Sequence, residues 1–208
     1  MIKPPIAGLK RPPSHRTLLV DAMRSLALSK GLPATSVDEV CERAGVTKGS
    51  FYHHFTSKDE LGIAALQAYF DDIVAAFTQG PWVEVTEPYD RLRAFLGNAA
   101  EICSGPLMAH GCLLGNFSLD IAESSPQVRD LVSEMFLQLR GVVSDVIAEA
   151  AKHRDVDLDP AHLGDQFLAV LEGSNVLAKA HADRDARRRG IEFFGGHLAL
   201  LLDRPPTP

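Results

Sequence analysis

From Arg16 onward the apolar residues of this chain recur at intervals of three and four, and strand signals are nearly absent. Leu18, Leu19, Ala22, Met23 and Leu26 predict a first helix that stops near Gly31-Leu32-Pro33. Ser36 followed by Val37, Val40, Cys41 and Ala44 gives an N-cap and one apolar face for a short second helix. Gly45-Val46-Thr47 breaks it, and Phe51 and Phe55, four apart, pin one face of a third. Ser57-Lys58-Asp59-Glu60 has the S-x-x-E form of a capping box, so a long helix starts there and runs to about Gln79. Tyr89 to Cys103, Met108 to Ala122, Ser125 to His153, Pro160 to Ala182 and Ala186 to Leu202 read as five more, separated by Gly105-Pro106, by Ser124-Ser125-Pro126 and by the acidic loop 155–159. The expected fold class is all-α, an N-terminal three-helix head and a six-helix body. The chain shows no internal repeat.

A glycine-containing turn between two short helices is the outline of a helix-turn-helix, whose second helix enters the DNA major groove. The chemistry of residues 47–58 fits that role. With Phe51 and Phe55 turned to the core, Lys48, Gly49, Ser50, Tyr52, His53 and His54 remain for the outer surface. Lys48 offers a point charge to a phosphate, Tyr52 and the histidines offer hydrogen bonds to phosphate oxygens, and Gly49 permits close backbone approach. Base reading falls to Thr47, Ser50 or Tyr52, or to DNA shape, because no arginine is placed for a bidentate guanine contact. Lys58 and the free amides at the start of the next helix are expected to face a phosphate. Ser36, Thr47, Lys48, Gly49, Ser50, Tyr52, His53, His54 and Lys58 form the expected DNA-binding set.

Charge divides the chain in the same place. Residues 1–60 hold nine Lys and Arg against six Asp and Glu, whereas residues 61–208 hold twelve against twenty-one. DNA contact is therefore expected in the head alone, since an acidic body repels phosphate. Pro4, Pro5, Pro12 and Pro13, with Lys3, Lys10 and Arg11, read as a flexible basic arm over 1–15, either a source of further phosphate contacts or an ordinary basic terminus. The domain division expected is arm 1–15, head 16–56 and ligand-binding and dimerisation body 57–208. No signal-peptide pattern and no apolar run near a membrane span is read, so the expected compartment is the cytoplasm, with no membrane partner. Three cysteines without C-x-x-C spacing argue against a disulfide framework and a structural zinc site, and no cofactor is expected. No H-E-x-x-H, G-x-S-x-G, P-loop or dinucleotide glycine pattern occurs, so an enzyme is not expected.

The run from about Arg16 to Leu66, above all Gly45 to Phe55 and Ser57 to Leu61, resembles the DNA-binding head of the TetR-type bacterial transcriptional repressors. That resemblance implies a homodimer, a palindromic DNA operator and a body holding an inducer pocket. Trp82, Tyr89, Phe95, Met108, Phe117, Phe136 and Phe167, with His110, Asn116, Glu172 and Asn175, are candidates for such a pocket, although aromatic residues at helical spacing more often fill a core. Residues 104–123 and 171–179 further resemble the NemR-like branch, whose members sense electrophiles and oxidants through a cysteine paired with a lysine. Cys112 and Lys179 fall on those positions. A nearby ammonium would stabilise the reactive thiolate. Related bodies also bind small acids such as acrylate, and an inert buried thiol is the alternative for Cys112. The expected ligand or sensing set is Cys112, Lys179, Asn116, Asn175, Phe117 and Trp82.

Phe167, Leu168, Val170 and Leu171, then Phe193 to Leu202 with Gly195 and Gly196, supply more apolar surface than one helix face needs. A two-fold dimer through the last two helices follows, with heads roughly 34 to 36 Å apart on DNA. The function expected is a ligand-responsive DNA-binding regulator, a repressor released from a palindromic operator by a small-molecule inducer or reactive electrophile. The alternative is a non-catalytic helical ligand-binding or interaction module without operator binding.

Overall fold

The computed structural model describes residues 13–203. Nine α-helices lie among them: α1 His15–Lys30, α2 Val37–Ala44, α3 Lys48–His54, α4 Lys58–Thr78, α5 Pro88–Ser104, α6 Leu113–Asp120, α7 Pro126–His153, α8 Pro160–Ala180 and α9 Asp185–Leu202. No strand occurs among the described residues. The all-α reading and the division into three and six helices agree with this order. Pro4, Pro5, Pro12, Lys3, Lys10 and Arg11 of the expected arm lie outside the described residues.

Local chemistry sets most of the boundaries. Side chains of Ser14, Ser36, Thr47, Ser57, Glu87, Ser125 and Asp159 cap seven helix N-termini by accepting a backbone N–H. The complete capping box is at Ser36, where the Glu39 carboxylate returns to the Ser36 backbone N–H. At Ser57 only half of the expected box forms: Ser57 accepts from Glu60 N, but the Glu60 carboxylate accepts from the backbone and hydroxyl of Thr56 instead. The predicted helix from Met108 is also shorter than expected. Pro106–Met108 is a single 3₁₀ turn, and Gly111 at φ +97° swings the chain away before α6 begins at Leu113.

The body is a bundle around a cluster of rings. Phe167 of α8 packs on Phe77 of α4, Phe95 of α5 and Phe194 of α9 at centroid separations of 6.4, 6.4 and 5.5 Å. Trp82 joins through Phe95 at 5.1 Å. The expectation that no segment is apolar enough for a membrane span is corrected at α4, where an 18-residue window of Lys58–Glu84 reaches a mean hydropathy of 1.2. Its apolar side chains have another use: Leu61, Ala65, Leu66, Tyr69, Phe70, Ile73 and Phe77 are buried against the other helices. The exposed Gln67, Asp71 and Asp72 mark the face of α4 that these helices leave uncovered.

The head is seated on the body through α1, which packs on α4 and α6. Arg24 of α1 pairs with Asp72 of α4 at 2.5 Å and lies 5.0 Å over the ring of Tyr69. The α6 helix meets both halves. Its Asp120 side chain fills the space that a Cβ on Gly31 would need, and Asn116 approaches the Ala27 carbonyl at 3.5 Å. Because Phe167 is 1% exposed and joins three helices, Phe167→Ala is expected to lower unfolding free energy by about 3 to 5 kcal/mol. Urea denaturation followed by circular dichroism checks this through the midpoint.

Candidate DNA-binding face and ligand groove

Two short helices and a turn build the first site. Gly45 ends α2 in the left-handed conformation, at φ 66° and ψ 31°, with its N–H on Glu42 O and the Val46 N–H on Cys41 O. Those paired bonds satisfy the last carbonyls of α2 and turn the chain. Thr47 then caps α3 by accepting from Ser50 N at 3.2 Å. Phe51 is fully buried and Phe55 nearly so, which fixes the roll of α3 about its axis. Lys48, Gly49, Tyr52 and His53 are exposed, Tyr52 to 61%, and His54 is half-buried.

Several expected contacts are engaged within the protein. Ser36 is exposed, but its hydroxyl donates to Glu39 at 2.8 Å. The Lys30 ammonium and the Ser36 groups hold the Glu39 carboxyl down at about 2, so it stays ionised in this cap. Ser50 shares a 2.8 Å hydrogen bond with His15 Nδ1. Lys48 pairs with Asp38 across the motif at 2.6 Å, both side chains remaining more than 60% exposed. Lys58 differs most from expectation: its ammonium donates to the carbonyls of Leu32 and Pro33, at 3.1 and 3.4 Å, and ties the turn after α1 to the start of α4.

The second site lies in the body between α6 and α8. A groove of about 820 Å³ is lined by Cys112, Asn116 and Leu119 on one side and by Glu172, Asn175, Val176 and Lys179 on the other. Phe136 of α7 closes the inner end. Cys112, Phe136 and Glu172 also wall a small inner cavity of about 10 Å³, which Tyr69 and Phe77 line from α4. Four of the six expected ligand residues therefore meet in one groove: Cys112, Asn116, Asn175 and Lys179. Trp82 and Phe117 do not join it. Trp82 donates through Nε1 to Phe77 O and packs on Phe95, and Phe117 is fully buried in the core.

The electrostatics of Cys112 reverse the expected cysteine–lysine logic. Burial and the Glu172 charge push the thiol well above its ordinary value. Lys179 is exposed on the rim, whereas Glu172 stands against the thiol. Burial lifts Glu172 as well, above the ordinary carboxylate range. Cys103 is likewise pushed up to about 12 by burial. The thiolate is the disfavoured species here.

Three positions carry more than the sequence reading gave them. Glu172 was only one of several pocket candidates, Tyr69 was absent, and Arg187 was hidden in the run Arg187-Arg188-Arg189. Arg187 is 2% exposed and donates to Asn175 Oδ1 at 2.8 Å. Tyr69 sits four residues from Ala65 and Ile73 on the buried stripe of α4, and that spacing was a usable signal.

A fold with a helix-turn-helix head, a helical body and a body groove defines the class of DNA-binding regulators with a separate effector domain. The family described as "Bacterial regulatory proteins, tetR family" matches residues 19–65, and the one described as "Tetracyclin repressor-like, C-terminal domain" matches residues 88–194. The chain belongs to the TetR family and is a DNA-binding transcriptional regulator. The HTH-type transcriptional repressor DhaR of a Mycobacterium species is 29% identical over 172 residues, 82% of this chain and 85% of that one. The transcriptional regulator AcuR of Cereibacter sphaeroides is 27% identical over 187 residues, 89% and 85% of the two chains. The crystal structure of regulatory protein TetR from Rhodobacter sphaeroides superposes with a TM-score of 0.76 at 27% identity, covering 86% of this chain and 96% of that one. The repressor NemR of Escherichia coli is similar at the lower identity of 23%, over 79% of this chain and 83% of that one.

A buried, protonated thiol reacts slowly. Iodoacetamide at neutral pH is expected to alkylate Cys112 of the folded protein at least about tenfold more slowly than in urea, read by peptide mass spectrometry. Equal rates in both states would contradict the neutral buried thiol.

Proposed function

We propose that the head, residues 16–56, holds a palindromic operator, and that a small molecule entering the groove of the body, 57–208, releases it. The observation that carries this reading is the position of α6. Its Cys112, Gly115, Asn116 and Leu119 line the groove, while Asn116 also reaches the Ala27 carbonyl and Asp120, at the last residue, lies on Gly31 at the end of α1. A ligand whose best fit requires α6 to shift would move the seat of the head. Coupling is reciprocal, so operator DNA disfavours that ligand by the same factor, and a hundredfold effect corresponds to about 2.7 kcal/mol.

The DNA face proposed is Lys48, Gly49, Tyr52 and His53 with Thr47, Ser50 and His54 at its edge. Lys48 is already paired with exposed Asp38, so a phosphate competes for a formed ion pair rather than for a free ammonium. Ser36 and Lys58 act through the local structure, one capping α2 and the other clamping the turn after α1. Release by a reversible ligand is favoured over covalent sensing, because Cys112 faces a carboxylate and Lys179 stands on the rim. The relatives named as repressors support repression as the sign of regulation.

Dimerisation is assigned to α8 and α9. Phe167, Leu171, Phe194, Leu198 and Leu202 of the expected interface are buried within the chain, whereas Phe193 and Leu200 stand 76% and 71% exposed. Phe193, Gly196 and Leu200 share one stripe of α9, and Leu177 of α8 stands 51% exposed outside the groove lining. These residues are the surface proposed for the partner. A regulator of bacterial genes works on cytoplasmic DNA, and that compartment is assigned with the function.

Fluorescence anisotropy on the DNA upstream of the protein's own gene tests the reading. Lys48→Ala is expected to weaken binding to operator and unrelated duplexes alike, and to reduce the slope of log K against log salt by about 0.9 for the lost phosphate contact. An unchanged slope would remove Lys48 from the interface. Absence of salt-sensitive binding to any genomic fragment would favour the interaction-module alternative.

A further inference from the structure

Glu172 has no charge partner. None of the ion pairs among the described residues includes it. Its Oε1 is buried and has no hydrogen-bond partner there. Oε2 occupies the place where a Cβ on Gly115 would stand, so the carboxyl is wedged against the first turn of α6. Ionising a carboxyl out of water without a cation is costly, so the empty site favours the protonated acid, and a cation seated beside it would favour the carboxylate.

The carboxyl lines both the groove and the inner cavity behind it. Around it the walls are largely apolar: Phe136 at the inner end, Leu119 and Val176 farther out. The arrangement of charge is negative inside and positive at the rim, where Lys179 is exposed. An acid entering the groove would meet Lys179 early, yet bringing its carboxylate deeper would set it against Glu172. A cation gains by going all the way in.

We infer that the groove takes an organic amine, whose protonated nitrogen pairs with Glu172 and whose apolar body lies against Phe136, Leu119 and Val176. This inference rests on the reading of the groove as the effector site and names the class of its effector. Binding forms an ion pair and hydrogen bonds only, with no covalent step. Cys112 contributes shape and a neutral thiol at the wall of the site.

Isothermal titration of the full-length protein with benzylamine, benzyl alcohol and benzoate, compounds of one shape and three charges, tests this. Benzylamine is expected to bind at least about tenfold more tightly than either other probe, and Glu172→Gln to abolish that preference. Gly115→Ala, which leaves the charge count unchanged but displaces the carboxyl, is expected to weaken benzylamine as well. Thermal melting supplies a reading that does not depend on ligand affinity: without ligand, the melting advantage of Glu172→Gln over the parent grows as the pH is raised, because ionising the buried carboxyl costs the parent stability. Benzylamine raises the melting temperature of the parent only.

Tighter binding of benzoate, lost in Lys179→Ala, would overturn the amine and leave the groove as an effector site for acids. Benzylamine affinity unchanged in Glu172→Gln would overturn it too. Binding of none of the probes would also overturn the amine, whereas the effector reading itself is decided separately, by whether any small molecule releases the protein from operator DNA.

Discussion

The structure depends on the way α6 is clasped at both ends. At its first turn a glycine of α6, Gly115, receives the Glu172 carboxyl of α8, and at its last residue a carboxylate of α6, Asp120, fills the space beside a glycine of the head, Gly31. In each case a side-chain oxygen stands where a Cβ would be, so the two surfaces approach more closely than any other residue would allow. An eight-residue helix has little stability of its own. What holds it is packing against α1, α4 and α7.

That geometry explains why the head is not an independent bead on the body. Arg24 of α1 pairs with Asp72 and covers the ring of Tyr69, and the Tyr69 hydroxyl faces the Gly111 carbonyl at 3.4 Å, just before α6. The same tyrosine lines the inner cavity. Burial keeps its hydroxyl far from ionising, so it serves as a fixed donor. The inner cavity, the start of α6 and the recognition head are thus joined through one side chain and one short helix, which is a physical path for coupling of the proposed kind.

The parts of this architecture legible in the sequence are those that follow from local rules. Helical spacing located all nine helices, and Gly45-Val46-Thr47 with Phe51 and Phe55 outlined the recognition motif, because caps, turns and apolar stripes are written within a few residues of one another. Where local signals competed, the reading slipped. Leu113 and Leu114 continue the apolar spacing from Met108, and only the positive φ of Gly111 separates them. Glu60 satisfied a capping pattern on paper yet binds Thr56. Lys58 was read from its position at a helix start, and its hydrogen bonds to carbonyls twenty-six and twenty-five residues away lay beyond any local signal.

The candidate groove was legible as a set of residues and illegible as chemistry. Resemblance placed Cys112 and Lys179 together, and they do line one groove, but which charge stands against the thiol depends on the turn of α8 that carries Glu172. On an α-helix residues 172 and 179 are seven apart, nearly two turns and about 10 Å, so only one of them can stand beside Cys112. Burial then sorts the two. The carboxyl on the inner turn is enclosed without a cationic partner, and the ammonium on the outer turn is exposed. Under the proposed amine reading the enclosed carboxyl is the stronger discriminator of what enters, because an interaction out of water is screened least. The net negative charge of the body has the sign that the proposed selection needs at long range, favouring cations over phosphate.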